Sequence, residues 1–296
     1  MAAKDNQYQA ARADLRFIKT NTMPLLTTTD GTTLFYKDWG TGKPVVFVHG
    51  CAMTSAFWEY MMLHLNSEGL RCIAYDQRGH GRSDDPGSGY DFDTLADDLD
   101  SLLEHLDLRG VTLVGHSMGG GEILRYQTRY GHYGRVSKLV LIGTPDCLRL
   151  TADNPEGIPD SMFEEMLATT IAKDFPKWLD ENVDAFYLPA TFGVSDGMIR
   201  WTIDMMRTTP MRTVVDCQRQ TFTVDLWNDV RKINIPTMVI HGDLDASIPF
   251  RCGKAIADSI PGSVFKAYPG APHGIIITHA AQVNNDLAAF IQDARG

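Results

Sequence analysis

Four consecutive apolar residues, Val45-Val46-Phe47-Val48, follow a stretch in which apolar and polar residues mix freely. A short apolar run without alternation predicts a strand covered on both faces. Before it, the Thr- and aromatic-rich segments 25–29 and 32–38 flank Asp30-Gly31, which predicts a hairpin. After it come a helix near 55–67, a strand at 71–75, and Leu95, Leu99, Leu102, Leu103 and Leu106 at helical spacing with acids between them. Val111, Leu113 and Val114 mark the next strand, an apolar helix follows residue 117, and 137–142 reads as a strand again. Strand and helix thus alternate from 45 to 142, and right-handed crossovers make that a mostly parallel sheet with helices on both faces.

The alternation breaks at Thr144-Pro145. Residues 144–230 carry no clear strand but hold Met162, Met166, Trp178, Met198, Trp201, Met205, Met206 and Met211. Several short helices forming a cap over the strand ends fit this block, with the Met stripe read either as core or as substrate surface. The rhythm resumes with a strand at 237–240, a helix near 250–260, a strand at 264–268 and a last helix opening at Thr278. The expected organisation is an N-terminal extension over 1–23, a core formed by 24–143 and 231–296, and a helical cap over 144–230.

Composition narrows the class. The 296 residues are 44% hydrophobic and 22% charged, ordinary for a globular enzyme, and the net charge is −10 with no basic cluster. That argues against nucleic acid and against anionic membrane as partners. No apolar run approaches a transmembrane span, and the polar, mixed-charge residues 1–22 lack the apolar stretch of a secretory signal. Cys51, Cys72, Cys147, Cys217 and Cys252 are odd in number and contain no Cys-x-x-Cys, so free thiols in a reducing compartment are expected. The expectation is a cytoplasmic protein, unless a leader preceding this sequence directs export.

The candidate chemistry sits in Gly115-His116-Ser117-Met118-Gly119 between a buried strand and a helix. A serine there must turn sharply, and Gly115 and Gly119 leave room for it. The competing interpretation is a serine that only caps the helix. As a nucleophile, Ser117 needs a base and a group to orient that base. The order Ser117, then an aspartate after the strand at 237–240, then His273 in the Gly/Pro-rich loop 269–274 matches the α/β-hydrolase order. Asp243 and Asp245 lie in the same loop. Asp245 is expected as the acid and Asp243 as a brace of the turn. His49 and His116 compete with His273 for the role of base, His116 being read as packing or support. His279 is read as surface. The N–H groups of Met118 and Cys51 are the expected oxyanion donors. Around the pocket, Ala52, Trp58, Ser247 and Ile275 are expected. No metal site and no cofactor are expected. Residues 78–83, Arg-Gly-His-Gly-Arg-Ser, lack the Gly-Lys-Ser/Thr of a phosphate loop and read as a structural turn, with Arg78 tying loops together.

Over about residues 25–293 the chain resembles the cofactor-free haloperoxidase, perhydrolase and arylesterase branch of the α/β-hydrolase superfamily. The stretches that carry the resemblance are Phe35-Tyr36-Lys37-Asp38-Trp39-Gly40, residues 76–84, 115–122, 154–159, 241–250, 271–274, 278–280 and 284–290. The resemblance implies Ser117 as nucleophile, Asp245 as acid, His273 as base, Cys51 and Met118 as oxyanion donors, and neither metal nor haem. It also implies cleavage of small esters through an acyl-enzyme, with peracid formation as a side activity and homo-oligomers as a common state. Cys51 stands where the family often has a large aromatic, and Ser247 where it often has an apolar residue. Both departures imply a wider, more polar acyl pocket.

The leading expectation is therefore a serine hydrolase of small carboxylic esters or lactones. Hydrolysis of a γ-lactam with the same residues, or a small-molecule receptor on a hydrolase fold, are the alternatives. A dehalogenase or epoxide hydrolase would carry aspartate at position 117.

Overall fold

The computed structural model describes residues 23–293 except Cys147 and Asp153. The expected N-terminal extension, apart from Met23, and the Cys147 thiol lie outside the described residues.

Chain alternation produces the sheet directly. The strands are β1 Leu25–Thr27, β2 Thr33–Trp39, β3 Pro44–Val48, β4 Arg71–Tyr75, β5 Val111–His116, β6 Val136–Ile142, β7 Thr237–Gly242 and β8 Val264–Tyr268. They lie in the order β1-β2-β4-β3-β5-β6-β7-β8, among the described residues one sheet. β1 and β2 form the expected hairpin, β2 runs antiparallel to β4, and every later pairing is parallel.

The helices are α1 Glu59–Ser67, α2 Phe92–His105, α3 Met118–Tyr130, α4 Asp160–Met166, α5 Phe175–Tyr187, α6 Asp196–Arg207, α7 Met211–Thr223, α8 Phe250–Ser259 and α9 Ala280–Gln292, with short helical turns between them. Successive strand residues point to opposite faces, and both faces are covered. Val46, Val48, Leu113, Leu139, Leu141 and Val239 pack with residues of α2, α3 and α8. Val45, Phe47, Val114, Val140, Ile142, Met238 and Ile240 pack with residues of α1 and α9. That double burial is why these strands read as unbroken apolar runs.

Two boundaries differ from the sequence expectation. The helix expected near 55–67 begins as a tight 3₁₀ turn, Ser55–Trp58, because Thr54 accepts the Ala56 N–H and closes the first turn early. Thr278 ends a short turn, Ile275–Thr278, and the last helix starts at Ala280. His279, expected at the surface, is half-buried between the two, its ring against Phe192 and Tyr268.

All the helical residues from α4 to α7 lie between β6 and β7, which are neighbours in the sheet. This insertion has its own apolar centre of Phe163, Leu167, Ile171, Phe175, Leu179, Ile203 and Val214, with Ala52 from the sheet side. The Met residues divide. Met205 is buried against the sheet's core, Met162 and Met211 are exposed, and Met166 and Met206 face a cavity.

Candidate active site

β5 is buried along its whole length and ends at His116. Ser117 follows with φ 54° and ψ −125°, a backbone conformation costly for a residue with a Cβ, at about 1–3 kcal/mol. The turn is tight: a Cβ on Gly119 would lie 2.3 Å from the Val48 carbonyl oxygen, and one on Gly115 2.5 Å from that of Gly119. The backbone is held by Ser117 N–H donating to Ile142 O at 2.9 Å. The Ser117 side chain makes no capping hydrogen bond, so the helix-cap interpretation does not account for it.

The loop after β7 separates the two aspartates. Asp243 is exposed and accepts the Gly270 N–H at 2.6 Å. Asp245 is buried; its Oδ1 accepts the N–H groups of Ser247 and Ile248 at 2.9 and 2.8 Å. Its Oδ2 lies 2.6 Å from His273 Nδ1. Burial works to raise the Asp245 pKa, but His273, His241 and the Ile248 N–H outweigh it and hold the carboxyl below its ordinary value. With Asp245 accepting at Nδ1, the free Nε2 of His273 is the atom available as a base.

His273 is itself fixed from three sides. His116 Nε2–H donates to the His273 carbonyl at 3.0 Å, with the two rings 4.6 Å apart. Phe186 of α5 stands edge-on to the His273 ring at 5.5 Å, and the Gly274 N–H donates to Phe186 O at 2.8 Å. Burial pushes His116 down to about 3, so it is neutral and supports the His273 loop through its bond to the His273 carbonyl. His49 is likewise buried and pushed down to about 4, its ring engaged by backbone groups.

Gly143 was not singled out by the sequence. It follows β6 with φ 53°, and a Cβ there would lie 3.1 Å from His273 Nδ1 and 3.2 Å from Asp245 Oδ2. Its only signal was position, the residue just before the break at Thr144-Pro145.

Ser117 and His273 open on one cavity of about 240 Å³, together with Gly50, Cys51, His116 and Ser247. The helical insertion supplies the opposite wall: Met166, Ile171, Trp178, Asn182, Phe186, Met206, Gln218, Thr221 and Phe222. A smaller space of about 80 Å³ adjoins it, sharing Trp178, Asn182, Phe186, Met206, Ala246 and Ser247. Cys51 is half-buried, with its Sγ 3.6 Å from Gln218 Nε2 and 3.9 Å from Val214 O, both on α7. Met118 is buried at the start of α3, and Gly50 comes close enough that a Cβ on it would meet Ser117 Cβ at 3.1 Å.

Of the expected pocket residues, Ser247 lines the cavity, whereas Ala52, Trp58 and Ile275 do not. Trp58 is fully buried against Phe47 in the core on the α1 and α9 side of the sheet, behind the His116 ring at 6.4 Å. Ile275 packs in the same cluster, and Ala52 packs beneath the insertion. The turn at 78–83 is structural: Arg78 forms a two-point pair with Asp98 at 2.6 Å per bond and reaches Asp30 at 2.9 Å. Among the described residues, no group of three or more His, Cys, Asp or Glu is arranged to hold a metal ion.

A parallel sheet with a serine on a strained strand–helix turn and a His–Asp pair after later strands defines the α/β-hydrolase class of fold. The alpha/beta hydrolase fold family profile matches residues 43–280, and the chain belongs to that family. A non-heme chloroperoxidase of Streptomyces lividans is 39% identical, covering 91% of this chain and 100% of its own. A bifunctional esterase/perhydrolase of Acinetobacter calcoaceticus is 36% identical over 91% of this chain and 100% of its own. The crystal structure of a bromoperoxidase from Bacillus anthracis superposes with a TM-score of 0.86 at 38% identity, covering 92% of this chain and 100% of that one. The chain thus falls in the cofactor-free haloperoxidase-like branch.

Proposed function

We propose that the protein hydrolyses small carboxylic esters through an acyl-enzyme on Ser117, with the helical insertion acting as the cap of the site. The observation that carries this is His273, paired with buried Asp245 at 2.6 Å and lining the same cavity as Ser117. Ser117 Oγ attacks the ester carbonyl while His273 takes its proton; the N–H groups of Cys51 and Met118 receive the developing oxyanion. His273 then protonates the leaving alcohol. Water, activated by the same imidazole, releases the acid and restores Ser117. Hydrogen peroxide in place of water at that second step gives a peracid, which accommodates both the esterase/perhydrolase and the haloperoxidase names of the relatives.

The test is hydrolysis of p-nitrophenyl esters from acetate to octanoate by the wild type and Ser117→Ala. The expected result is turnover in the wild type that falls by about 10⁴-fold or more in the variant. Equal turnover in both would overturn the serine mechanism. Folded wild type without turnover would overturn the ester reading.

A further inference from the structure

The segment that carries the Cys51 N–H is held more firmly than the loop position alone requires. Ala52 has φ 60°, unusual for a residue with a Cβ, and is buried. Its N–H donates to His80 Nε2 at 3.2 Å, and its carbonyl accepts from Thr209 Oγ1, in the α6–α7 connection, at 3.3 Å. On the other side of Cys51, the Gly50 carbonyl accepts from His49 Nδ1–H at 2.8 Å and from the Met53 N–H at 3.2 Å.

The protonation of both rings follows from their neighbours. His49 Nε2 faces the Gln77 N–H at 3.0 Å, and His80 Nε2 faces the Ala52 N–H, so each Nε2 must accept. Each Nδ1 then carries the proton, and that of His80 donates to Arg78 O at 2.9 Å. Burial holds both imidazoles neutral, as this arrangement requires.

Because a peptide is planar and trans, fixing the Gly50 carbonyl fixes the opposite direction of the Cys51 N–H in the same unit. The bond at the Ala52 N–H fixes the next unit, and the bond at the Ala52 carbonyl fixes the one after that. We infer that His80 and Thr209 are positioning residues for the oxyanion donor: with His49 they hold the 50–52 backbone so that the Cys51 N–H faces the oxygen of the carbonyl group attacked by Ser117. The inference rests on the hydrolase reading. Thr209 gives it a further consequence. It belongs to the insertion, so the insertion shapes the pocket and also sets the aim of a donor on the sheet.

The test compares Thr209→Val with Thr209→Ser, and His80→Leu with His80→Gln, using p-nitrophenyl acetate and an aryl trifluoromethyl ketone that forms an oxyanion on the serine. Thr209→Val keeps the volume and loses the hydroxyl; its kcat should fall about 10-fold at nearly unchanged KM, with the ketone's inhibition constant rising by the same factor. Thr209→Ser should restore both. His80→Leu should lose about 100-fold in kcat, and His80→Gln, which keeps an acceptor, should recover part of it. Thermal melting identifies any variant that fails to fold; should His80→Leu fail, the Thr209 pair decides alone. Wild-type kcat and ketone affinity in folded Thr209→Val, or equal losses in the Val and Ser variants, would overturn the clamp. Wild type without Ser117-dependent turnover would instead overturn the hydrolase reading beneath it.

Discussion

Asp245 and Asp243 stand two positions apart, and the structure gives them unlike work. Asp245 is buried on His273, whereas Asp243 is exposed and braces the Gly270 N–H. Asp245→Asn should therefore leave an imidazole in the wrong tautomer and lower kcat about 10³- to 10⁴-fold, with little change in melting temperature. Asp243→Asn should leave kcat near wild type. Steady-state kinetics on the two variants checks the assignment, and equal losses would contradict it. At this scale the sequence was readable where a polar side chain follows a strand, as at Ser117, Asp245 and His273, which the structure brings to one place. It was not readable where the role is an absence, as at Gly143, whose missing Cβ leaves room for the His–Asp pair.

The helix α3 carries the element-scale case. Its Glu122 is fully buried, accepts from the Tyr75 hydroxyl at Oε1, and among the described residues has no partner at Oε2. Burial above all, with the nearby Asp98 charge, raises its carboxyl well above the ordinary 4.5, the Tyr75 bond opposing only part of this. The folded protein thus holds a proton that the unfolded chain has released, and stability from this group falls as pH rises from about 4.5 until Glu122 ionises in the fold. Glu122→Gln keeps the shape without the titration. Its unfolding free energy relative to wild type should climb with pH above about 5, by at most about 1.4 kcal/mol per pH unit, as denaturant unfolding across pH would show. A difference that stays flat with pH would contradict a neutral Glu122. Element types were legible because β3, β5 and β6 are covered on both faces and α2 on one. Partners were less so: Trp58, expected at the pocket, packs on Phe47 and meets the cavity only through its edge contact with the His116 ring.

In the whole molecule, the cavity exists only between sheet and insertion, and Cys51 sits at that junction against Val214 and Gln218. Cys51→Trp should fill this space from the sheet side without touching the His–Asp pair. The ratio of p-nitrophenyl acetate to octanoate turnover should rise at least about 10-fold, since each methylene in such a pocket counts for about 10-fold or more. An unchanged ratio would place the acyl group elsewhere. The insertion's side chains toward the cavity could not be read from the sequence, because a helical period shows that a face is buried without showing what it faces. Met166 and Met206 face the cavity while Met205, one residue away, packs toward the sheet.

The two ends of that insertion join neighbouring strands, which has a meaning for descent as well as for catalysis. One continuous stretch of chain can therefore vary in sequence and length while Ser117, Asp245 and His273 stay on the sheet and its loops. Such variation has to keep the insertion's anchors on the core, among them the contacts of Thr209 with Ala52 and of Phe186 with Gly274. A transplanted segment that lacks either anchor would arrive with a new appetite and a blunted tool.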